Sequence, residues 1–217
     1  MSKVTLLSPQ KKNPDRYNLF LDGEFFCGLD LDTIANFKLK VGQELDQSTT
    51  DKVFAASEAA KIYQRALDFL AVRPRSEEEV RWRLKEKIHK YKLSIIEEGP
   101  DAVKDLVDAV VTRLRNLNYL NDTEFVRWWI DQRTGGRHPC GFYKIQAELL
   151  QKGVTRSLIN DVWHELSLDE QELCRQHFEA VVQKYDLDSL KGKKRLVDYL
   201  VRKGFGWGLV KSLQLIN

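Results

Sequence analysis

Two glycines constrain this chain more than any other feature. Gly153 stands near the end of Ile145-Gln146-Ala147-Glu148-Leu149-Leu150-Gln151-Lys152-Gly153-Val154, and Gly204 follows it 51 residues later. Phe142, Ile145 and Leu149 recur at spacings of three and four, which is one apolar face of a helix. A glycine after a lysine in the last turn stops a helix: the glycine turns left-handed and the cation sits at the negative end. The second stretch repeats the first, with Leu196 and Leu200 for Ile145 and Leu149, and Arg202-Lys203-Gly204-Phe205 for Gln151-Lys152-Gly153-Val154. Leu158, Ile159 and Val162 return at the same offset as Leu209, Val210 and Leu213. An earlier copy reads Val80-Arg81-Trp82-Arg83-Leu84-Lys85-Glu86-Lys87-Ile88, with Ile88 in the glycine's place. Units repeating at a period near fifty bury their apolar faces on their neighbours. The sequence therefore predicts a mainly α protein. Three tandem three-helix repeats form an elongated, curved body, preceded by a small N-terminal β-hairpin module.

The expected boundaries are 1–48 for the hairpin module and 49–120, 121–166 and 167–217 for the repeats. Asp22-Gly23 between Tyr17–Leu21 and Glu24–Leu29 signals a hairpin. Val4–Leu7 supplies a further strand, and a short helix starts at Asp30. Helix then runs from about Thr50 to Ala71. Ser76-Glu77-Glu78-Glu79 and Ser167-Leu168-Asp169-Glu170 both read as capping boxes. Gly99-Pro100-Asp101, Asn121-Asp122-Thr123-Glu124 and Thr155 each open a helix. An insertion at about 89–100 separates the first two copies.

With 217 residues, 42% of them hydrophobic and 31% charged, the chain can bury one large core or two small ones. No run approaches the roughly 18 apolar residues of a membrane span, and Met1-Ser2-Lys3 begins no apolar leader. Cys27, Cys140 and Cys174 are odd in number and far apart, which points to a reducing cytoplasm and to neither disulfides nor zinc. No catalytic constellation emerges. Gly204-Phe205-Gly206-Trp207-Gly208 follows a helix and lacks dinucleotide spacing, and His138-Pro139-Cys140-Gly141 has no paired base nearby. The five tryptophans, Trp82, Trp128, Trp129, Trp163 and Trp207, are expected to pack in the core or between repeats.

The net charge of +3 hides an uneven distribution: +4 over residues 51–92, −2 over 93–140, −4 over 141–190 and +6 over 191–217. Arginine and lysine neutralise phosphates or acidic protein surface. The run Arg81, Arg83, Lys85, Lys87 reads equally as a binding surface or as a charged helix face braced by Glu77–Arg81 and Glu79–Arg83 pairs. Lys193, Lys194, Arg195, Arg202 and Lys203 have almost no acidic neighbours and favour binding. With Arg73, Arg75 and Lys152 these are the residues expected to contact a partner or nucleic acid.

Several stretches together resemble the RecX family of bacterial regulatory proteins. They are Ala66-Leu67-Asp68-Phe69-Leu70-Ala71-Val72-Arg73-Pro74-Arg75-Ser76-Glu77 with Val80–Lys87, Leu117–Phe125, Glu148–Val154 and Tyr199–Phe205. The likeness spans roughly residues 58–217. The hairpin with Gln10-Lys11-Lys12-Asn13 resembles the N-terminal extension of longer members from low-GC Gram-positive bacteria. The resemblance implies binding to the RecA recombinase, chiefly to its filament on single-stranded DNA, and restraint of its ATPase and strand exchange, within DNA repair, recombination and the SOS response. It implies a monomer with no cofactor, no membrane contact and weak direct DNA binding. The rival reading is a helical DNA-binding protein that acts without RecA.

Overall fold

The structure, a computed structural model, describes residues 1–11 and 13–213. It is mainly helical with a small N-terminal sheet, and it divides into two compact units: residues 1–73 with 80–117, and residues 74–79 with those from 118 onward.

The first unit begins with strands β1 (Ser2–Gln10), β2 (Asn13–Leu21) and β3 (Glu24–Asp30). Asp22 and Gly23 turn the β2–β3 hairpin with φ of 52° and 90°, the left-handed pair that a tight hairpin of this twist demands. Helix α1 (Leu31–Asn36) starts where the Asp30 carboxylate accepts from the Thr33 amide at 2.9 Å. A strand not anticipated from sequence, β4 (Glu44–Leu45), then pairs with Ser2 and Lys3, completing the order β3-β2-β1-β4. Two residues are too few to carry an alternating pattern. Val4, Leu19, Leu29 and Leu45 pack under the sheet against Val53 of α2 (Gln47–Leu70). Helix α3 (Glu77–Tyr91) and α4 (Pro100–Asn116), with Pro100 at its first position, complete the helices. Lys12, in the turn quoted for the family likeness, lies outside the described residues.

The second unit holds α5 (Asp122–Thr134), α6 (Phe142–Gln151), α7 (Arg156–Glu165), α8 (Glu170–Val181), α9 (Leu190–Arg202) and α10 (Trp207–Ser212). Ile145, Leu149 and Val154 pack with Phe125, Ile130, Ile159 and Val162. Their counterparts Leu196, Leu200 and Phe205 pack with Cys174, Val181 and Val210. Both reference glycines close their helices in the same way. Gly153 has φ +79°, its amide donates to the Leu150 carbonyl at 3.0 Å, and the Val154 amide reaches Leu149 at 3.2 Å. Gly204 has φ +93°, with Gly204 to Val201 at 2.9 Å and Phe205 to Leu200 at 3.3 Å. This paired reach-back satisfies the last carbonyls of the helix.

Two readings need correction. Ile88 does not stand in the glycine's place; it is buried and corresponds to Leu149. The left-handed residue of the first copy is Lys92, φ 48°, with its amide on His89 at 3.2 Å and the Leu93 amide on Ile88 at 3.3 Å. The copies are therefore 61 residues apart, and the inserted segment is the short 3-10 turn Ser94–Ile96 and its flanks, after the cap. The second capping box does not form either. Ser167 is itself left-handed, φ 46°, and Asp169 caps α8 by accepting from the Gln171 and Glu172 amides at 3.0 Å. The first box does form: the Ser76 hydroxyl accepts from the Glu79 amide at 3.1 Å, and Glu79 accepts from the Ser76 amide at 3.3 Å.

Candidate partner-binding surface

The second unit contains one joint twice. In the first instance the Ser76 hydroxyl donates to the Lys152 carbonyl at 2.6 Å and the Glu77 amide donates to the Asp122 carboxylate at 2.8 Å. In the second, the Gly141 amide donates to the Lys203 carbonyl at 3.0 Å, the Tyr143 amide to the Gly204 carbonyl at 3.1 Å, and the Phe142 amide to the Glu170 carboxylate at 3.0 Å. Each time, donors at the start of one middle helix, a serine hydroxyl in the first joint and backbone amides in the second, meet the free carbonyls closing the next, and an acid from the next repeat's first helix takes one amide. The joint demands glycine. A Cβ on Gly153 would overlap the Glu78 side chain, and one on Gly204 would overlap the Lys144 amide. Lys92 is exposed, so there a side chain meets only the backbone cost of the left-handed turn.

The same register explains the C-terminal basic run. Twelve residues before each closing glycine stand Gly141 and Gly192, so Phe142, Tyr143 and Lys144 correspond to Lys193, Lys194 and Arg195. In the joint, the Gly141 backbone lies against Gly204. In the third repeat the chain's own Asp186 carbonyl lies over Gly192, and the Ser189 hydroxyl accepts from the Gly192 amide at 3.0 Å. The joint position is thus occupied from within, and of the three cations beside it Lys194 and Arg195 are exposed.

Lys191, Lys194, Arg195 and Arg202 are exposed along one face of α9, with Asp198 as the acid among them. None of these four cations, nor Lys211 on α10, is in an ion pair among the described residues. Lys193 is half-buried, and Lys203 lies over the Tyr199 ring at 5.1 Å. Cations in the first turns of a helix add to its positive end, so the start of α9 is a strongly electropositive spot.

Most of the other expected contact residues have protein partners. Lys152 binds Glu79 at 3.0 Å and lies 4.5 Å from the Trp129 ring centre, inside the first joint. Arg75 is half-buried near the same carboxylate, 3.9 Å away. Arg81 pairs with Asp108, Arg83 with Glu86 and over the Phe69 ring at 5.6 Å, and Lys87 lies over Tyr91 at 5.8 Å. Arg73 is half-buried after α2, and Lys85 is exposed beside the start of α4. Sequence spacing could not disclose the contacts of Lys152 with Glu79 and Trp129 or of Arg81 with Asp108, because those partners come from distant segments. The tryptophan expectation also needs correction: Trp163 packs against Phe142, but Trp82 and Trp207 are 66% and 61% exposed. Trp207 opens α10 on the cationic stretch, a stacking surface that the packing rule overlooks.

The cysteines are free. Burial pushes the thiols of Cys27 and Cys174 up to about 11, leaving them unreactive at neutral pH. No described helix is long and apolar enough to cross a membrane.

Two family models match the chain: the regulatory protein RecX N-terminal domain over residues 2–46, and the RecX first three-helix domain over residues 63–89. The regulatory proteins RecX of Bacillus velezensis and of Bacillus subtilis strain 168 are each 32% identical to it over 216 residues, covering 98% of this chain and 76% of theirs. A crystal structure of regulatory protein RecX superposes with a TM-score of 0.72 at 22% identity, covering 99% of both chains. That of RecX from Lactobacillus salivarius gives 0.58 at 21% identity, covering 74% of this chain and 99% of the other.

Proposed function

Since the chain belongs to the RecX family of regulatory proteins, we propose that it binds the RecA recombinase, chiefly its filament on single-stranded DNA, and lowers the filament's ATPase and strand exchange. It acts as a cytoplasmic monomer built of modules 1–48, 49–120, 121–166 and 167–217, without catalysis of its own. The observation that carries the reading is the cationic face of α9, free of ion pairs among the described residues, at the position where the other repeats make their joint. An anionic partner surface suits that face. The acidic stretch over residues 141–190, at −4, disfavours bare phosphate elsewhere on the chain.

The second reading, a DNA binder acting without RecA, draws on exposed Trp207 beside Lys211, since an aromatic next to a cation can stack on an unpaired base. One experiment separates the two. Filament ATPase is titrated with the protein beside a naked-DNA binding curve in the same salt. The expected outcome is tighter binding to filaments than to naked DNA, with ATPase inhibited. Equal affinity for both, with ATPase untouched, would leave only the DNA-binding reading.

A further inference from the structure

The first unit carries a groove apart from the α9 surface. It has a volume of about 370 Å³ and lies between strand β3 and helix α2, within the first unit. Its apolar lining comes from Phe25, Phe26 and Phe54, and its cations are Arg16, Lys61 and Arg65. Gly28 forms part of the wall, and a Cβ there would come within 2.9 Å of the Gln10 side-chain amide.

Three observations give the groove a chemistry. The Arg16 Nη2 donates to the Gly28 carbonyl at 3.1 Å, yet its buried Nε has no hydrogen-bond partner among the described residues. Arg16 itself lines the groove, so an anion there would meet the guanidinium charge, and the change would be felt at Nε. Next, Lys61 and Arg65 sit over the Tyr91 ring, at 5.2 and 5.7 Å, one helical turn apart at the groove's edge. The nearby acids are partly engaged: Glu58 accepts from the Ser94 amide at 3.1 Å and its hydroxyl at 2.6 Å, and Asp68 pairs with Arg65 at 3.1 Å. Last, Phe25 is 60% exposed, held edge-on to Phe20 with ring centres 5.8 Å apart. A flat aromatic in solvent beside clustered cations matches a planar base attached to a phosphate.

We propose that this groove binds a nucleoside phosphate, free or as one unit of a single strand, with the base on Phe25 and the phosphate on Arg16, Lys61 and Arg65. An apolar wall with a few convergent polar groups, at this volume, is the usual form of such a pocket. The assignment is independent of the α9 surface.

The test follows the Arg16 Nε–H resonance in the full chain, identified by its loss in Arg16→Lys. Thymidine monophosphate, hexathymidylate, inorganic phosphate and a hexaglutamate peptide are titrated separately. We expect the monophosphate or the hexamer to shift the resonance, and their relative affinity tells free nucleotide from strand. Phe25→Ser should weaken that binding about tenfold. Lys61→Glu should weaken it too; both side chains are exposed, so melting temperatures should hold. Lys193→Glu/Lys194→Glu/Arg195→Glu should leave the titration unchanged, which keeps this site's failure distinct from that of the α9 surface. No shift with either nucleotide overturns the proposal. So does an equal response to phosphate or hexaglutamate that ignores Phe25.

Discussion

The same left-handed backbone is met by glycine at 153 and 204 and by lysine at 92, and the difference is what lies opposite. Gly153→Ala incurs both the left-handed penalty and overlap with Glu78, so it should destabilise by more than about 1 kcal/mol. Lys92→Gly removes the same penalty where nothing presses, and should stabilise by about 1 kcal/mol. Urea midpoints at unchanged slope would check both signs. His177 is the other informative single residue. It is buried beside the Pro139 carbonyl, with Nε2 3.3 Å from the Tyr199 hydroxyl. Burial holds its pKa below the usual histidine value; the Pro139 carbonyl raises it, and Lys203, His138 and Lys144 lower it further. Because the folded pKa lies below the unfolded one, the unfolded chain takes the proton first as pH falls. Stability from His177 is therefore present above about pH 6.5 and lost progressively below it. Melting temperature should drop on acidification less steeply in His177→Gln than in the parent protein.

At the scale of elements, helix starts were legible where the cap and its amide are neighbours in sequence. Gly99-Pro100, Asn121 and Thr155 all open helices as local chemistry requires, and Asp22-Gly23 turns the hairpin by the same kind of local rule. Ser76 and Ser167 had the same apparent signature, and only Ser76 has the carbonyl of Lys152 to hold it in place. Ser167 follows α7 too closely, and its hydroxyl donates back to His164 at 3.2 Å, leaving Asp169 to cap. Ser76→Ala should thus cost about 1–2 kcal/mol by losing a cap and stranding a carbonyl, whereas Ser167→Ala should be close to neutral. Thermal denaturation of the pair would check the contrast. The joints themselves were not legible, since Asp122, Glu170, Lys152 and Lys203 look like ordinary surface charges until distant segments meet.

At the scale of the whole molecule, the charge imbalance of the last 27 residues was readable, and its cause was not. Lys152 and Lys203 share a sequence context, yet Lys152 is tied to Glu79 while Lys203 rests on an aromatic ring. Reversing Lys193, Lys194 and Arg195 to glutamate should weaken partner binding and flatten its salt dependence, by up to about 0.7 in log–log slope for each single-strand phosphate that the protein no longer neutralises. The circular dichroism spectrum should not change, because Lys194 and Arg195 are exposed and Lys193 is only half-buried. The Asp186 carbonyl over Gly192 also sets how the molecule could be lengthened. Splicing another repeat behind the third would leave it with nowhere to seat until the Asp186–Ser189 turn was cut away. One peptide oxygen and one serine hydroxyl together bar that seat, and deleting their short turn would open it.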